Sequence, residues 1–280
     1  MNKLEDARGK IRLVAFDLDG TVLNSKKEIS PRTKEAMRRA AAQGIRLVPA
    51  TGRMMDEIPK NVYPGIPYVS CAVTANGARV YRLPEKEPVL SREFSVLDAR
   101  KIIGESRKYK AVLYVGYGED GVLDDRGAAW EDPTVKEVIL RIEQACSFGF
   151  ADTYADLAAW KNPPCKFTLI FADPDERAQA VESFLQLLDC NMTSSDPLNL
   201  ELTPKGASKG SALAFLMALE GIEAHQVMAI GDSDNDHEML LTTGLSVAMG
   251  NAAPALKKAV DFVTASCDED GMAMALEAIL

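Results

Sequence analysis

The sequence predicts an α/β fold, a doubly wound parallel sheet interrupted by an inserted α+β domain. Two observations carry this. Short apolar strands alternate with helical patterns over about the first eighty residues, and the alternation resumes toward the C-terminal end. Between these stretches the rhythm changes, beginning at the Pro/Glu/Lys segment Leu83–Pro88. Alternation of this kind is the mark of βαβ units, and a break within it marks an insertion. A chain of 280 residues accommodates one large domain or two ordinary ones.

Ile11–Phe16, apolar except for Arg12, reads as the first buried strand. Ser30-Pro31 supplies an N-cap and a first helical residue, Ala36, Met37, Ala40 and Ala41 supply the apolar face, and Gly44 a stop. Ile45–Pro49 and Tyr68–Val73 are the next strands, and Asn76-Gly77 between apolar flanks is a hairpin signal of type I′. The inserted block then reads as strand Val89–Phe94, helix Leu97–Tyr109, strand Ala111–Tyr117, turn Gly118–Gly121, helix Thr134–Glu143, strand Lys166–Phe171 and helix Pro174–Leu188. Its exit is expected at Cys190–Asp196. Beyond it come strand Leu198–Leu202, helix Ser208–Leu219, strand Gln226–Ile230, helix Glu238–Leu241, strand Leu245–Met249 and helices Ala252–Ala259 and Glu269–Leu280. The expected division is therefore a Rossmann-like core from residues 1–83 and 194–280, with an α+β insertion of residues 84–193.

Composition narrows the function classes. Acidic residues outnumber basic ones 41 to 32, for a net charge of −9, and no basic stripe offers a nucleic-acid footprint. The five cysteines are scattered without a Cys-x-x-Cys pair, so reduced thiols in a cytoplasmic protein are expected rather than a disulfide framework. Met1–Lys10 is polar and charged, unlike a signal peptide, and the longest apolar run, Ala212–Leu219, is too short for a membrane span.

The chemistry is concentrated at strand ends. Asp17 and Asp19 follow the first strand two residues apart, so their side chains point the same way, and Gly20 and Thr21 follow. Asp-Gly alone is a common turn pair. Two carboxylates at the carboxyl end of a buried strand, however, repel each other and call for a hard divalent cation between them. A second acidic cluster, Gly231-Asp232-Ser-Asp234-Asn235-Asp236, follows another apolar strand. Asp232 is a plausible third carboxylate for a six-coordinate Mg²⁺, and Asp236 a support for that shell, directly or through water. Thr51 and Gly52, in Ala-Thr-Gly-Arg after a strand, offer a hydroxyl and an amide to an anionic oxygen. Lys205 and Lys209 precede a helix, where a lysine beside the positive end of the dipole can clamp phosphate.

The order Asp-x-Asp, Thr, Lys, Gly-Asp-x-x-Asn-Asp resembles the four-part signature of the haloacid-dehalogenase-like (HAD) hydrolases. The insertion between the Thr and Lys motifs resembles the Cof-type sugar-phosphate phosphatases. The resemblance implies a Mg²⁺-dependent phosphatase of small phosphorylated metabolites, sugar phosphates above all, with neither nucleic acid nor membrane as partner. It implies Asp17 as nucleophile and Asp19 as general acid and base. Asp17, Asp19 (through its backbone carbonyl) and Asp232 would hold the metal. Thr51, Gly52, Lys209 and Asn235 would bind the phosphoryl group, with Lys209 matching the family lysine better than Lys205. Asp236 and Arg53 would support the site, and the insertion would act as a cap over it. In the insertion Glu119, Asp120 and Arg126 are polar, and as plausibly plain surface. A phosphomutase, or a sucrose-phosphate-like or mannosyl-phosphoglycerate-like phosphatase, would use the same scaffold. A non-catalytic phospho-ligand sensor would have no need of Asp19.

Overall fold

The computed structural model describes residues 3–118, 120–124, 132–133, 135–137, 140, 149–157 and 163–280. The chain divides into two units. Met1–Gly52, Lys60–Leu90 and Ser208–Leu280 form the first, and Arg53–Pro59 with Ser91–Ala207 the second. In chain order the strands begin with β1 (Leu13–Phe16), β2 (Arg46–Pro49), β3 (Cys71–Thr74), β4 (Arg79–Arg82) and β5 (Leu90–Ser91). There follow β6 (Ala111–Tyr117), β7 (Asp120–Asp124), β8 (Gly149–Ala151), β9 (Lys166–Phe171), β10 (Cys190–Thr193) and β11 (Asn199–Pro204). The chain then returns to the first unit with β12 (Val227–Gly231), β13 (Leu245–Ala248) and β14 (Phe262–Val263).

In the first unit five strands lie in the order β14-β13-β12-β1-β2, each pair parallel. β1 is therefore flanked on one side by the next strand in sequence and on the other by β12, so the winding reverses between β1 and β12. Ligands of open α/β sheets bind at such a reversal, beyond the carboxyl ends of the strands. β1 and β12 are buried along their whole length, as strands covered on both faces must be. Leu13 and Ala15 pack in one cluster with Ala212, Leu213 and Leu216 of the helix Lys209–Glu220. The pleat turns Val14 and Phe16 to the opposite face.

The helix start at Ser30-Pro31 is built as expected, and Ser208, expected as the first residue of its helix, is instead its N-cap. The Ser30 hydroxyl accepts the Thr33 N–H at 3.0 Å ahead of the helix Pro31–Ala42, and the Ser208 hydroxyl accepts the Ser211 N–H at 2.9 Å ahead of Lys209–Glu220.

The second unit carries a six-stranded sheet in the order β10-β11-β9-β6-β7-β8, antiparallel except between β7 and β8. Phe167, Leu169 and Phe171 of β9 pack with Leu113, Val115, Leu200, Leu202 and the helix residues Ile102, Ile103 and Phe184. The alternate residues form the other face, where Lys166 pairs with Glu201 in a buried ion pair and the Tyr114 hydroxyl bonds the Glu57 carboxylate.

Three expectations are corrected. The strand expected at Leu198–Leu202 belongs to the antiparallel sheet, and the main segment of the second unit is Ser91–Ala207 rather than residues 84–193. Its alternation Leu200-Glu201-Leu202-Thr203 is the pattern of a strand with unlike faces, whereas β1 and β12 are apolar throughout. Arg53–Pro59 was expected in the core but clusters with the second unit. The Asn76-Gly77 hairpin pairs Thr74 with Arg79 and so has four loop residues rather than a two-residue type I′ turn, because Ala75 is left-handed as well. The helix expected over Thr134–Glu143 lies largely outside the described residues, as do Glu119 and Arg126, while Asp120 begins β7. No described helix is long and apolar enough to cross a membrane.

Candidate active site

Asp17 leaves the end of β1 and Asp232 the end of β12, two neighbouring parallel strands. The side-chain oxygens of Asp17, Asp232 and Asp236 come within 4.8 Å of one another. Lys209, the first residue of its helix, inserts its ammonium between two of them, 2.7 Å from Asp17 Oδ1 and 2.7 Å from Asp236 Oδ1. Lys209 is 1% exposed, Asp236 0% and Asp17 6%, so these charges are solvated by one another and by protein groups rather than by bulk water.

Asp236 is fully committed. Its second oxygen accepts the backbone N–H groups of Asp232 at 3.0 Å and Ser233 at 3.1 Å, which folds the acidic loop back on itself. Both of its oxygens are thus held within the fold, by the Lys209 ammonium and by amides of its own loop. Asp232 accepts the Thr21 hydroxyl at 3.2 Å on Oδ1 and the Asn251 amide at 3.2 Å on Oδ2. Gly20 lies against it in the left-handed region at φ +80°, where a Cβ would stand 2.5 Å from Asp232 Oδ2. Any larger residue there would displace the carboxylate. Asp19 is more open, and its Oδ1 accepts the Lys27 ammonium at 2.8 Å.

The other predicted residues fall into two groups. Thr51, at the end of β2, is 1% exposed, and Asn235 donates its side-chain amide to Asn76 at 3.1 Å. Gly52 ends the same segment of the first unit. Arg53 belongs to the second unit, where its guanidinium donates to the Glu57 carbonyl at 3.2 Å. Lys205 also lies in the second unit and pairs with Asp189 at the surface. Sequence reasoning did not single out Lys27, Asn76 or Asn251 as partners of site residues. Thr21 was visible as the hydroxyl of Asp-Gly-Thr, but nothing near Asn251 in the chain announces its contact with Asp232.

Three carboxylates against one ammonium leave the cluster with excess negative charge, and the proton equilibria register it. Burial pushes Asp17 well above the usual carboxylate range, Lys209 opposes that rise, and Asp236, Asp232 and Asp19 add to it. Burial alone would lower Lys209, but Asp17 and Asp236 outweigh it and leave its ammonium more firmly protonated than a free lysine. Asp232 is pushed up to about 6, first by burial and then by Asp236. Hard oxygen donors with unbalanced negative charge are the donor set a Mg²⁺ ion takes, so the residues present fit that ion.

A sign follows for stability. Asp232 holds its proton to higher pH in the fold than its ordinary value of 3.8, so the folded chain binds more protons than the unfolded one between about pH 4 and 6. Without metal the fold therefore loses stability as pH rises through that window, by about 3 kcal/mol from this group. A cation that binds only the ionised pair reverses the loss. The rise in melting temperature on adding Mg²⁺ is expected to be large at pH 7.5 and small at pH 5. Equal rises at the two pH values would count against a cation on Asp232.

Comparison with known proteins identifies the family over nearly the whole chain. Residues 14–276 match the family model for haloacid dehalogenase-like hydrolase. A 5-amino-6-(5-phospho-D-ribitylamino)uracil phosphatase of Bacillus subtilis is 28% identical over 266 residues, 95% of this chain and 94% of its own. A pyridoxal phosphate phosphatase of Escherichia coli is 29% identical over 274 residues, 94% of this chain and 96% of its own. The crystal structure of a haloacid dehalogenase-like hydrolase from Bacteroides thetaiotaomicron superposes with a TM-score of 0.81 at 31% identity, covering 97% of this chain and 100% of that one. The chain belongs to the haloacid dehalogenase-like hydrolases, among the Cof-type phosphatases, and is a phosphoric monoester hydrolase.

Proposed function

We propose that the protein is a Mg²⁺-dependent phosphatase of small phosphorylated metabolites, sugar phosphates above all, acting through an aspartyl-phosphate on Asp17. The observation that carries the reading is the buried Lys209 between Asp17 and Asp236, beside Asp232, at the point where the sheet reverses its winding. Lys209 neutralises Asp17 without covering the site, because it approaches from within the fold. Relatives named for a ribitylaminouracil phosphate and for pyridoxal phosphate support small phosphorylated substrates. Four described cysteines are free thiols, which supports a reducing, cytoplasmic setting.

In the first step an Asp17 oxygen forms a bond to phosphorus as the ester P–O bond breaks, and Asp19 gives its proton to the leaving oxygen. In the second, water attacks phosphorus, Asp19 takes its proton, and the bond to Asp17 breaks to release phosphate. Asp17, the Asp19 carbonyl and Asp232 would hold Mg²⁺, which supplies positive charge against the phosphoryl oxygens when bound. Lys209, Thr51, Gly52 and Asn235 bind and orient those oxygens. To the second unit we assign the choice of leaving group, as the resemblance of the insertion implies.

Asp19→Asn separates the two steps and tests the scheme. The variant is expected to lose far more rate on alkyl phosphates than on activated aryl phosphates, whose leaving oxygen needs no proton. Acid quenching during aryl phosphate turnover should trap phosphate on the chain, since the second step still lacks its base. A label absent from the quenched variant, or equal losses on both ester types, would remove Asp19 from this role.

A further inference from the structure

The turn Ala75-Asn76-Gly77 between β3 and β4 has a backbone that its sequence explains only at Asn76 and Gly77. All three residues are left-handed, at φ +49°, +51° and +89°, although only the last is glycine. A left-handed alanine followed by a left-handed asparagine is costly and persists where surrounding contacts hold it. Those contacts reach the three segments proposed to bind phosphate. The Asn76 N–H bonds the Thr51 carbonyl at 3.0 Å, and the Thr51 N–H in turn bonds the Val73 carbonyl at 2.9 Å. Gly77 lies so close to the Ser208 carbonyl, at the cap of the Lys209 helix, that a Cβ would collide with it. The Asn76 side chain, 2% exposed, accepts the Asn235 amide at 3.1 Å. Asn235 keeps its own carbonyl oxygen buried without a partner.

We infer that this turn is the positioning element of the phosphate site, and that Asn76 is a positioning residue acting through Asn235. The inference rests on the phosphate-binding role proposed above for Asn235. By accepting one N–H of the Asn235 amide, Asn76 fixes the amide plane, so that the second N–H has one direction in which to point. The Thr51 loop and the Lys209 helix are gauged from the same three residues, so the donors keep their spacing across segments far apart in sequence. Asparagine suits this position twice over, since it tolerates the left-handed region and carries an acceptor of the right reach.

The test uses the full chain with Mg²⁺, a small aryl phosphate as substrate and inorganic phosphate as competitive inhibitor. Asn76→Gly keeps the positive φ and the N–H to Thr51 but removes the side chain. It is expected to lower kcat/KM and phosphate affinity about tenfold, the worth of one oriented hydrogen bond. Asn235→Ala is expected to lose at least as much. The double variant should equal Asn235→Ala alone, because Asn76 has nothing left to hold. Asn76→Asp, which keeps the acceptor, should lie nearer wild type than Asn76→Gly. Losses that simply add, or an Asn76→Gly variant with wild-type constants, would overturn the positioning role while leaving Asn235 in place. An inert Asn235→Ala would overturn the phosphate-binding role of Asn235, and this inference with it.

Discussion

Asp17→Asn is expected to abolish phosphate release, by four orders of magnitude or more on the order of other lost nucleophiles, while the chain stays folded. An amide has the shape of the carboxylate but neither its charge nor its nucleophilic oxygen. The direction of the stability change is itself diagnostic. Burial and three neighbouring carboxylates push the Asp17 pKa up against the pull of Lys209, so its charge costs the fold stability. Removing that charge relieves repulsion from Asp236 and Asp232, and Lys209 keeps its bond to Asp236. The metal-free variant should melt at or above wild type at pH 7.5, and the added stability that Mg²⁺ gives wild type should largely disappear. Near-normal phosphate release would remove the covalent scheme, and a variant that unfolds would show that Asp17 is needed for packing instead.

Lys209→Met is the second large effect, and it falls on stability as well as activity. The lysine side chain is 0% exposed and lies between two carboxylates that are nearly as buried. Methionine fills similar volume but leaves Asp17 and Asp236 facing each other without a counter-charge. Breaking a buried pair in this way costs about 3–5 kcal/mol. The cost depends on pH, because Asp17, whose pKa burial already pushes up, can take up a proton. Denaturant unfolding should give the full loss at pH 8 and a much smaller one at pH 5. Phosphate release should fall by about a thousandfold, since the nucleophile loses the cation that favours its ionised form and the phosphoryl group loses a donor. A loss below about 1 kcal/mol at pH 8 would mean that the cluster does not need the ammonium.

The parallel core was legible because each of its central strands is a continuous apolar run ending in the residues of the site. Leu13–Phe16 leads into Asp17, and Val227–Gly231 into Asp232. Parallel strands covered on both faces can be built only from such runs. The limits of the second unit were less legible for two reasons. Arg53–Pro59 is separated in the chain from the rest of its unit, and contiguity misassigned it. Residues 199–204 do carry an antiparallel signature in their alternation, but they lie next to a core helix and were read with it.

The sequence by itself determined which carboxylates stand at strand ends, that Ser30 caps the helix begun by Pro31, and that the strands around Asp17 and Asp232 are parallel. These are local facts of side-chain type and period. Only the tertiary structure decided that Lys209 meets Asp17 across 192 positions of sequence, that Asp236 accepts amides of its own loop, and that Lys27, Asn76 and Asn251 bond to Asp19, Asn235 and Asp232. Those contacts follow from the order of strands in the sheet and the close approach of loops at its carboxyl edge. No window of sequence spans Lys209 with Asp17 or Asn76 with Asn235, because those partners are brought together by burial of the core and not by spacing along the chain.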